Sequence, residues 1–313
     1  MGTPTGQQFE LTKSSGDRQS RAIITERAAG LRALTVDGVE LVETFAEDAL
    51  PPYGSGIVLV PWPNRVEDGV WSYRGEAQQL DLTEPARRNA IHGLLRNSTY
   101  AVRERSAESI TLGAAVFPQH GYPFQLDTAV RYELVADGIA VTHDIRNTGD
   151  AAAPVAVGAH PYLRIGDLPV DDLTLTLAAS THFEVDARLN PRAENPVDGT
   201  PFDLRGGVRL GDLTLDDAFG GVLPDGVHRI TASDGRRVEL WRDPEFAFAQ
   251  VFTNRLFERS GSPALAVAVE PMTAPANALN SGQGLRWLEP DERWTLSWGI
   301  RYSPGTLAGD ASA

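Results

Sequence analysis

The sequence contains no cysteine among its 313 residues. This absence excludes disulfides, thiolate nucleophiles and zinc or iron–sulfur sites built on cysteine, and it is compatible with any compartment. No apolar run approaches the roughly 18–20 residues that cross a membrane, and the polar N-terminus lacks the apolar core of a signal peptide. We therefore expect a cytoplasmic protein.

Basic residues are few relative to acidic ones. The chain has 28 lysines and arginines against 42 aspartates and glutamates, which gives a formal net charge of −14. A negative field of this size repels a phosphate backbone and an anionic membrane surface, and no block of lysine or arginine offsets it. We therefore expect no nucleic-acid partner and no membrane partner.

Motifs for cofactors and metals are also missing. The sequence has neither a Walker A motif nor a Gly-x-Gly-x-x-Gly that opens a helix, so we expect no nucleotide cofactor. No His-x-His or His-Glu-x-x-His pair occurs among the histidines, and we expect neither a metal site nor any other cofactor. The six histidines are His92, His120, His143, His160, His182 and His228.

The sequence does have many short runs of β-branched and aromatic residues, separated by Gly, Pro, Asn and Asp. Three Asp-Gly pairs, which begin at Asp37, Asp137 and Asp234, each divide two such runs. This pattern is typical of β-hairpins, because the pair tolerates the positive φ angles of a tight turn. Further strands are predicted at Ile110–Val116, Leu173–Ala179, Phe246–Phe252, Ala264–Glu270 and Trp294–Tyr302.

The 30 glycines and 21 prolines lie between the predicted strands and do not form a linker, which favours one domain over two. We predict an all-β fold, a single large antiparallel β-sandwich over 1–313 with few or no helices and mobile ends at about 1–8 and 304–313. The polar segment Asp186–Gly207 is predicted to be a long loop, and loops of this length are usually functional.

Two stretches carry more polar groups than plain sandwich strands need. "LVPWPNRVEDGVW" places Asn64 and Arg65 after an apolar strand, where a guanidinium with five donors suits a carboxylate or a set of hydroxyls. The alternative is a surface arginine that pairs with one of the many acids. In "RRNAIHGLLRN", His92 precedes Gly93, and such a glycine indicates close approach of backbone or ligand, although a lone histidine is more often structural.

Two later stretches place a histidine and a glutamate directly before prolines. In "VGAHPYLRIG", Pro161 favours extended geometry for His160, and Tyr162 follows on the same strand face. A structural role, a metal ligand and a proton donor are all open for this histidine. In "ALAVAVEPM", Glu270 ends an apolar strand, and a buried carboxylate there would have the raised pKa of a general base. The alternative is a glutamate turned to solvent.

These four stretches, in this order, resemble motifs of the aldose 1-epimerase (galactose mutarotase) family. The matching segments are "NRVEDGVWSYRG", "IHG", "HPY" and "VEP", and "LDDAF" (Leu215–Phe219) is similar to the family's Asp-x-x-Phe sugar-binding element. The segments "VDGVELV" and "LEPDERWTLSWGIRY" are similar to the family's opening and closing strands. The resemblance spans nearly the whole chain, and five motifs in the correct order are specific together.

The resemblance implies a galactose mutarotase-like β-supersandwich with its site in a cleft on one face. It also implies a cofactor-independent isomerase that interconverts the α and β anomers of a free aldose such as galactose or glucose. Glu270 would be the general base at the C1 hydroxyl, and His160 the general acid at the ring oxygen. A slip of one residue would give Asp217 the role of Asp216. The implied sugar-binding residues are Asn64, Arg65, His92 and Asp216.

Departures from the family pattern leave the sugar open. "HPYLRIG" and "EPMTAPANALN" differ from the commoner continuations into Phe-Asn and Thr-Gln, and both are similar to a divergent bacterial subgroup. Three alternatives stay open. They are a non-catalytic carbohydrate-binding protein, an epimerase for a hexose phosphate contacted by Arg96 or Arg164, and a glycoside hydrolase or lyase, which needs two carboxylates flanking the scissile bond.

Overall fold

The computed structural model describes residues 3–305, which form antiparallel β-strands with very little helix. Helical structure in these residues is limited to short 3₁₀ helices and one α-helix, α1 (Ala278–Ser281). The 3₁₀ helices cover Pro52–Gly54, Pro85–Arg87, Val170–Asp172 and Leu210–Asp212. The prediction of an all-β fold with few helices is confirmed.

The strands follow one another closely along the chain. The first third contains β1 (Gln8–Ser15), β2 (Arg18–Thr25), β3 (Leu31–Val36), β4 (Val39–Glu40), β5 (Val58–Leu59), β6 (Arg65–Glu67), β7 (Val70–Tyr73), β8 (Glu76–Gln79) and β9 (Asn89–Ile91). The middle contains β10 (Ala101–Arg105), β11 (Ser109–Val116), β12 (Leu126–Val135), β13 (Gly138–Asn147), β14 (Ala153–Val155), β15 (Gly158–Ala159), β16 (Tyr162–Leu163), β17 (Thr174–Thr176), β18 (Thr181–Val185) and β19 (Pro191–Pro196). The last third contains β20 (Val208–Arg209), β21 (Asp216–Gly220), β22 (His228–Thr231), β23 (Arg237–Arg242), β24 (Phe248–Arg259), β25 (Ser262–Met272), β26 (Arg286–Leu288) and β27 (Arg293–Ser303).

Two large sheets form the body of the protein. The nine-stranded sheet has the order β10-β11-β12-β13-β27-β23-β22-β17-β20. The eight-stranded sheet has the order β19-β18-β21-β24-β25-β15-β5, and β16 also pairs with β25. Val141 and Leu296 of the first sheet and Val251 and Val269 of the second belong to one buried apolar cluster. The sheets therefore pack face to face, as in a sandwich.

The three hairpins predicted from Asp-Gly pairs are confirmed. Gly138 opens β13 directly after the turn from β12, and the other two pairs join β3 to β4 and β22 to β23. Asp37 and Gly38 both have positive φ angles, 53° and 78°, as a tight turn between twisted strands requires. Local turn chemistry was therefore sufficient to locate these connections.

Two sequence-based expectations about local structure need correction. The segment Asp186–Gly207 is not a loop throughout, because Pro191–Pro196 forms β19 and pairs with β18. This strand lies at the edge of its sheet, where proline is tolerated. Glu270 does not end its strand either, since β25 continues through Pro271 to Met272. A proline removes only one N–H donor and does not stop an extended chain.

Part of the N-terminal end, which was expected to be mobile over about 1–8, packs against the rest of the protein. Thr5 is fully buried, and its carbonyl oxygen accepts a hydrogen bond from Arg27 N at 3.0 Å. Residues 1, 2 and 306–313 lie outside the described residues, so most of the second expected mobile end does too. Among residues 3–305, no helix has the length and apolarity that a membrane crossing needs.

Candidate active site

The two sequence-predicted proton-transfer residues lie side by side on the eight-stranded sheet. His160 stands between β15 and β16, and Tyr162 of β16 lies opposite Ala268 of β25. In an antiparallel pair, this register brings His160 level with Glu270. His160 Nε2 lies 3.3 Å from Glu270 Oε1, and only 5% and 2% of the two side chains are exposed.

The His160 ring is held by its backbone and by two neighbouring rings. Its backbone N–H donates to Ile57 O at 3.1 Å, and its carbonyl accepts from Gly56 N at 2.8 Å. The ring stacks on Tyr162 with centroids 5.3 Å apart and meets the edge of His92 at 5.4 Å. These contacts fix the direction of Nε2 without a hydrogen bond at Nδ1, which has no partner among the described residues.

His92 reaches His160 because of a close backbone approach. His92 and Gly93 both have positive φ angles, 64° and 73°, and they follow the short pair of β6 and β9. A Cβ added to Gly93 would lie 2.1 Å from Val60 O, so only glycine fits there. His92 N also donates to Asn64 O at 2.9 Å, which ties the histidine to the Asn-Arg turn. The expectation of a close approach at this glycine is confirmed.

Gln250 connects the sugar-binding residues that the sequence suggested. Its Nε2 donates to Asp216 Oδ1 at 2.8 Å, and its Oε1 accepts from Asn64 Nδ2 at 3.0 Å. Arg65 Nη2 lies 3.7 Å from Asp216 Oδ2. Asn64, Arg65 and Asp216 therefore form one polar wall beside Glu270, which lies directly opposite Gln250 in the pairing of β24 with β25.

Glu84 fixes the Arg65 guanidinium through two hydrogen bonds. Arg65 Nε donates to Glu84 Oε2 at 2.9 Å, and Nη2 donates to Oε1 at 3.1 Å. The sequence left open a surface arginine that pairs with an acid. Arg65 does pair with an acid, but it is not a surface residue, since only 8% of its side chain is exposed. A bidentate pair of this kind sets the plane of the guanidinium and leaves Nη1 directed elsewhere. Nη1 lies 3.4 Å from Asn64 Oδ1, on the side of the polar wall.

Burial shifts the pKa values of His160 and Glu270 in opposite directions. It raises the pKa of Glu270 well above its usual value; Asp216 raises it further and Arg65 opposes the rise. Burial lowers the pKa of His160 to about 4. The pKa of His92 is lowered well below its usual value by burial and by the charge of His160. These shifts favour a protonated carboxyl beside a neutral imidazole over an ion pair.

Several polar atoms of this group of residues are buried and have no hydrogen-bond partner within residues 3–305. They include Glu270 Oε2 and the Nδ1 atoms of His92 and His160. Buried polar atoms are normally paired, so a group of unpaired ones indicates a place where the polar atoms of a ligand or water bind. Across residues 3–305, no three His, Asp or Glu side chains are grouped closely enough to hold a metal ion.

A family model described as aldose 1-epimerase matches residues 8–301. The chain belongs to the aldose 1-epimerase family. The protein YihR of Escherichia coli K12 is 34% identical over 283 residues, which are 89% of each chain. Human galactose mutarotase is 29% identical over 168 residues, which are 51% of this chain and 48% of that protein.

Solved structures of the family share this fold. The GalM/aldose epimerase homologue from C. elegans has a TM-score of 0.82 at 18% identity, over 96% of this chain and 100% of that one. Galactose 1-epimerase from Lactobacillus acidophilus has a TM-score of 0.77 at 19% identity, over 96% and 99% of the two chains. The predicted galactose mutarotase-like β-sandwich is therefore confirmed.

All six residues that family motifs suggested lie in one connected group. Two further residues of this group were missed from the sequence. Gln250 is the single polar residue in the apolar run "FAFAQVF", which was a usable signal. Glu84 lies in an ordinary acidic loop and gave no signal. The six converging residues are Asn64, Arg65, His92, His160, Asp216 and Glu270.

The neighbouring aspartate and the two arginines considered for a phosphate have different surroundings. Arg96 Nη1 donates to Ile91 O at 3.3 Å. Asp217 Oδ1 accepts a hydrogen bond from His182 Nε2 at 2.8 Å, away from Arg65, so the geometry places Asp216 and not Asp217 beside Arg65. Arg164 is buried, and Glu40 and Glu43 lie 2.8 Å and 3.4 Å from its Nη1. That guanidinium is already neutralised within the protein.

Proposed function

We propose that the protein is a cofactor-independent mutarotase, which interconverts the α and β anomers of a free aldose by opening and reclosing the sugar ring. The observation that carries this proposal is the buried pair of His160 and Glu270, whose Nε2 and Oε1 atoms lie 3.3 Å apart among other polar side chains. A protein that only binds sugar does not need an acid and a base at this distance. Membership of the aldose 1-epimerase family supports the same activity.

Opening a hemiacetal requires proton removal at one oxygen and proton delivery at another. The Glu270 carboxylate takes the proton from the C1 hydroxyl while His160 gives a proton to the ring oxygen, and the C1–O5 bond breaks to leave an aldehyde. After rotation about C1–C2, His160 takes the proton back from the C5 hydroxyl and Glu270 returns one to O1. Each positioned group contributes about 10²–10⁴ in rate.

The two groups share a single proton throughout this cycle. Before a sugar binds, burial favours the neutral forms of both side chains, so the shared proton is on Glu270. For ring opening it must be on His160, which is within 3.3 Å. Polar sugar hydroxyls that enter the cleft favour the charged pair, and so does Arg65, which lowers the pKa of Glu270. The protonation state left after ring opening is the resting one.

Asn64, Arg65, His92 and Asp216 are the proposed ligands of the sugar hydroxyls. Arg65 is oriented by Glu84, and Asn64 and Asp216 are both held by Gln250, so the donors and acceptors of this wall are in place before the sugar arrives. Such preorganisation lowers the entropic cost of fixing these side chains when the sugar binds.

Anomer exchange is the direct test of the proposed function. Purified protein is added to freshly dissolved α-D-galactose and α-D-glucose, and the approach to equilibrium is followed by optical rotation or NMR. We expect the rate to rise above the buffer rate in proportion to enzyme concentration for at least one aldose of a wider panel. If the protein binds an aldose in calorimetry and accelerates no exchange, it is a carbohydrate-binding protein and the proposal is wrong.

A further inference from the structure

The pair of His182 on β18 and Asp217 on β21 has no role in the account so far. His182 Nε2 donates to Asp217 Oδ1 at 2.8 Å, and only 10% and 18% of the two side chains are exposed. The His182 ring is also held by two phenylalanines, since it stacks on Phe202 with centroids 3.5 Å apart and meets the edge of Phe219 at 5.4 Å. Burying a carboxylate costs free energy, so a pair held this firmly calls for a physical reason.

Asp217 points away from the polar wall that contains Asp216. Adjacent residues of a strand face opposite sides of the sheet, so the two carboxylates of β21 do not share a face. Asp217 lies opposite Val251, which belongs to the core between the two large sheets, whereas Asp216 bonds to Gln250. Together with His182, Asp217 lines a recess of about 510 Å³. A sugar bound against Asp216 is therefore out of its reach.

The second carboxylate oxygen of Asp217 binds the backbone of Asp216. Asp217 Oδ2 accepts from Asp216 N at 3.0 Å. This N–H points away from β24, because β24 bonds to the alternate residues of β21, beginning with Thr253 N, which donates to Leu215 O at 2.9 Å. Within the described residues, the pairing of β18 with β21 reaches Phe219 and not Asp216. The carboxylate therefore supplies the acceptor that a neighbouring strand would otherwise provide.

We propose that Asp217, held by His182, is a positioning residue that fixes Asp216 within the polar wall. The contacts run from His182 Nε2 through both oxygens of Asp217 to the backbone N–H of Asp216. The Asp216 side chain then meets Gln250 and Arg65. The inference rests on the proposed mutarotase function, and it adds what holds one substrate-binding group from the opposite face of the sheet. Such support matters because a misplacement of about 1 Å can cost about 100-fold in rate.

The test compares two substitutions of Asp217 with a matched control. Asp217→Leu removes both hydrogen bonds and keeps a side chain of similar size. In Asp217→Asn, the amide oxygen can accept from Asp216 N and the amide nitrogen can donate to His182 Nε2, since a neutral imidazole carries its proton on either nitrogen. Asp144→Leu is the control, because Asp144 is a strand carboxylate with 25% exposure that pairs with Arg293 on the other large sheet. KM and kcat for anomer exchange are measured for each variant on the best aldose, with and without Asp216→Ala.

We expect Asp217→Leu to raise KM about tenfold, with kcat within about threefold of wild type because Glu270 and His160 stay in place. Asp216→Ala alone should raise KM about 10- to 100-fold, as loss of a hydrogen bond to a charged group predicts. In the Asp216→Ala background, Asp217→Leu should change KM by less than about twofold, since it acts through Asp216. Asp217→Asn should restore most of the loss, and Asp144→Leu should have the KM of wild type.

Three results overturn the inference and leave the mutarotase function standing. They are a wild-type KM for Asp217→Leu, a KM rise that persists in full in the Asp216→Ala background, and an equal KM rise for Asp217→Asn. Absence of any acceleration by the wild-type protein overturns the proposed function itself, and the inference with it.

His182→Leu keeps the test decisive if Asp217→Leu fails to fold by near-UV circular dichroism. This variant keeps an apolar side chain against Phe202 and loses the hydrogen bond to Asp217. It should raise KM about threefold, and this rise should vanish in the Asp216→Ala background. An unchanged KM, or a rise that is equal in both backgrounds, overturns the inference.

Discussion

Gln250 lies directly opposite Glu270 across β24 and β25, and its amide joins Asn64 to Asp216 through hydrogen bonds of 3.0 Å and 2.8 Å. One side chain therefore sets the spacing between the proposed base and two groups of the polar wall. The amide offers both a donor and an acceptor here, which no carboxylate or hydrocarbon of the same size provides.

Gln250→Leu should weaken sugar binding without removing the acid or the base. The variant loses two hydrogen bonds at about 0.5–1.5 kcal/mol each, so kcat/KM should fall by about 5- to 100-fold, mostly through KM. Steady-state anomer exchange measures this. Gln119→Leu is the control, because that exposed glutamine has only a long contact of 3.4 Å to Phe117 O. Equal kinetics for the two variants would show that Gln250 does not organise the wall.

Glu84→Gln should release the Arg65 guanidinium from its fixed plane. Removing the charge of one partner of a buried ion pair usually costs about 3–5 kcal/mol of folding stability, because the other charge stays buried without its partner. The cost is smaller here because Asp216 also lies beside Arg65. We expect KM to rise about tenfold or more, and the melting temperature to fall. Glu104→Gln, at a side chain that is 76% exposed, should change neither. A wild-type KM for Glu84→Gln would contradict the orienting role.

The pH dependence of kcat/KM should be that of two groups, His160 and Glu270, which share one proton. At low pH both His160 and Glu270 are protonated and no base is available, so kcat/KM falls as the pH approaches the lowered His160 pKa of about 4. At high pH both are deprotonated and no acid is available, so activity falls through the raised pKa of Glu270. The result is a bell whose acid limb lies well below the usual histidine pKa. An acid limb near pH 6.5 would contradict the assignment.

Glu270→Gln should stabilise the protein, and more so as the pH rises. The folded-state pKa of Glu270 lies above its unfolded value. The contribution of this carboxyl to the free energy of unfolding is therefore fully present below the unfolded pKa, and it is lost as the pH rises through the folded pKa. For each pH unit between the unfolded and folded pKa values of Glu270, the stabilisation of the Glu270→Gln variant relative to wild type grows by about 1.4 kcal/mol. Thermal unfolding at pH 5 and pH 8, with Glu104→Gln as control, measures this. A gain equal at both pH values would refute the raised pKa.

Local signals in the sequence were enough for the hairpins and for the separate motifs. The Asp37-Gly38 turn depends only on the conformational freedom of its own residues, and the motif around His160 is continuous in sequence. Such features can be found without knowing which strands pair.

Features that depend on strand pairing could not be predicted. Gln250 bonds to Asn64, which is 186 residues away, and only the register of β24 with β25 brings it opposite Glu270. The strand at Pro191–Pro196 was hidden by its two prolines, which an edge strand tolerates. Pro271 likewise suggested a strand end at Glu270 where the sheet continues. In each case the deciding contacts join distant parts of the chain.

The most direct test of the account is NMR exchange between the anomers of galactose, or of the best aldose, with wild type, Glu270→Gln and His160→Asn. If this pair transfers the protons, each variant should lose about 10²–10⁴ in kcat while calorimetry shows sugar binding within a few-fold of wild type. Near-wild-type exchange by either variant would contradict the role assigned to that residue.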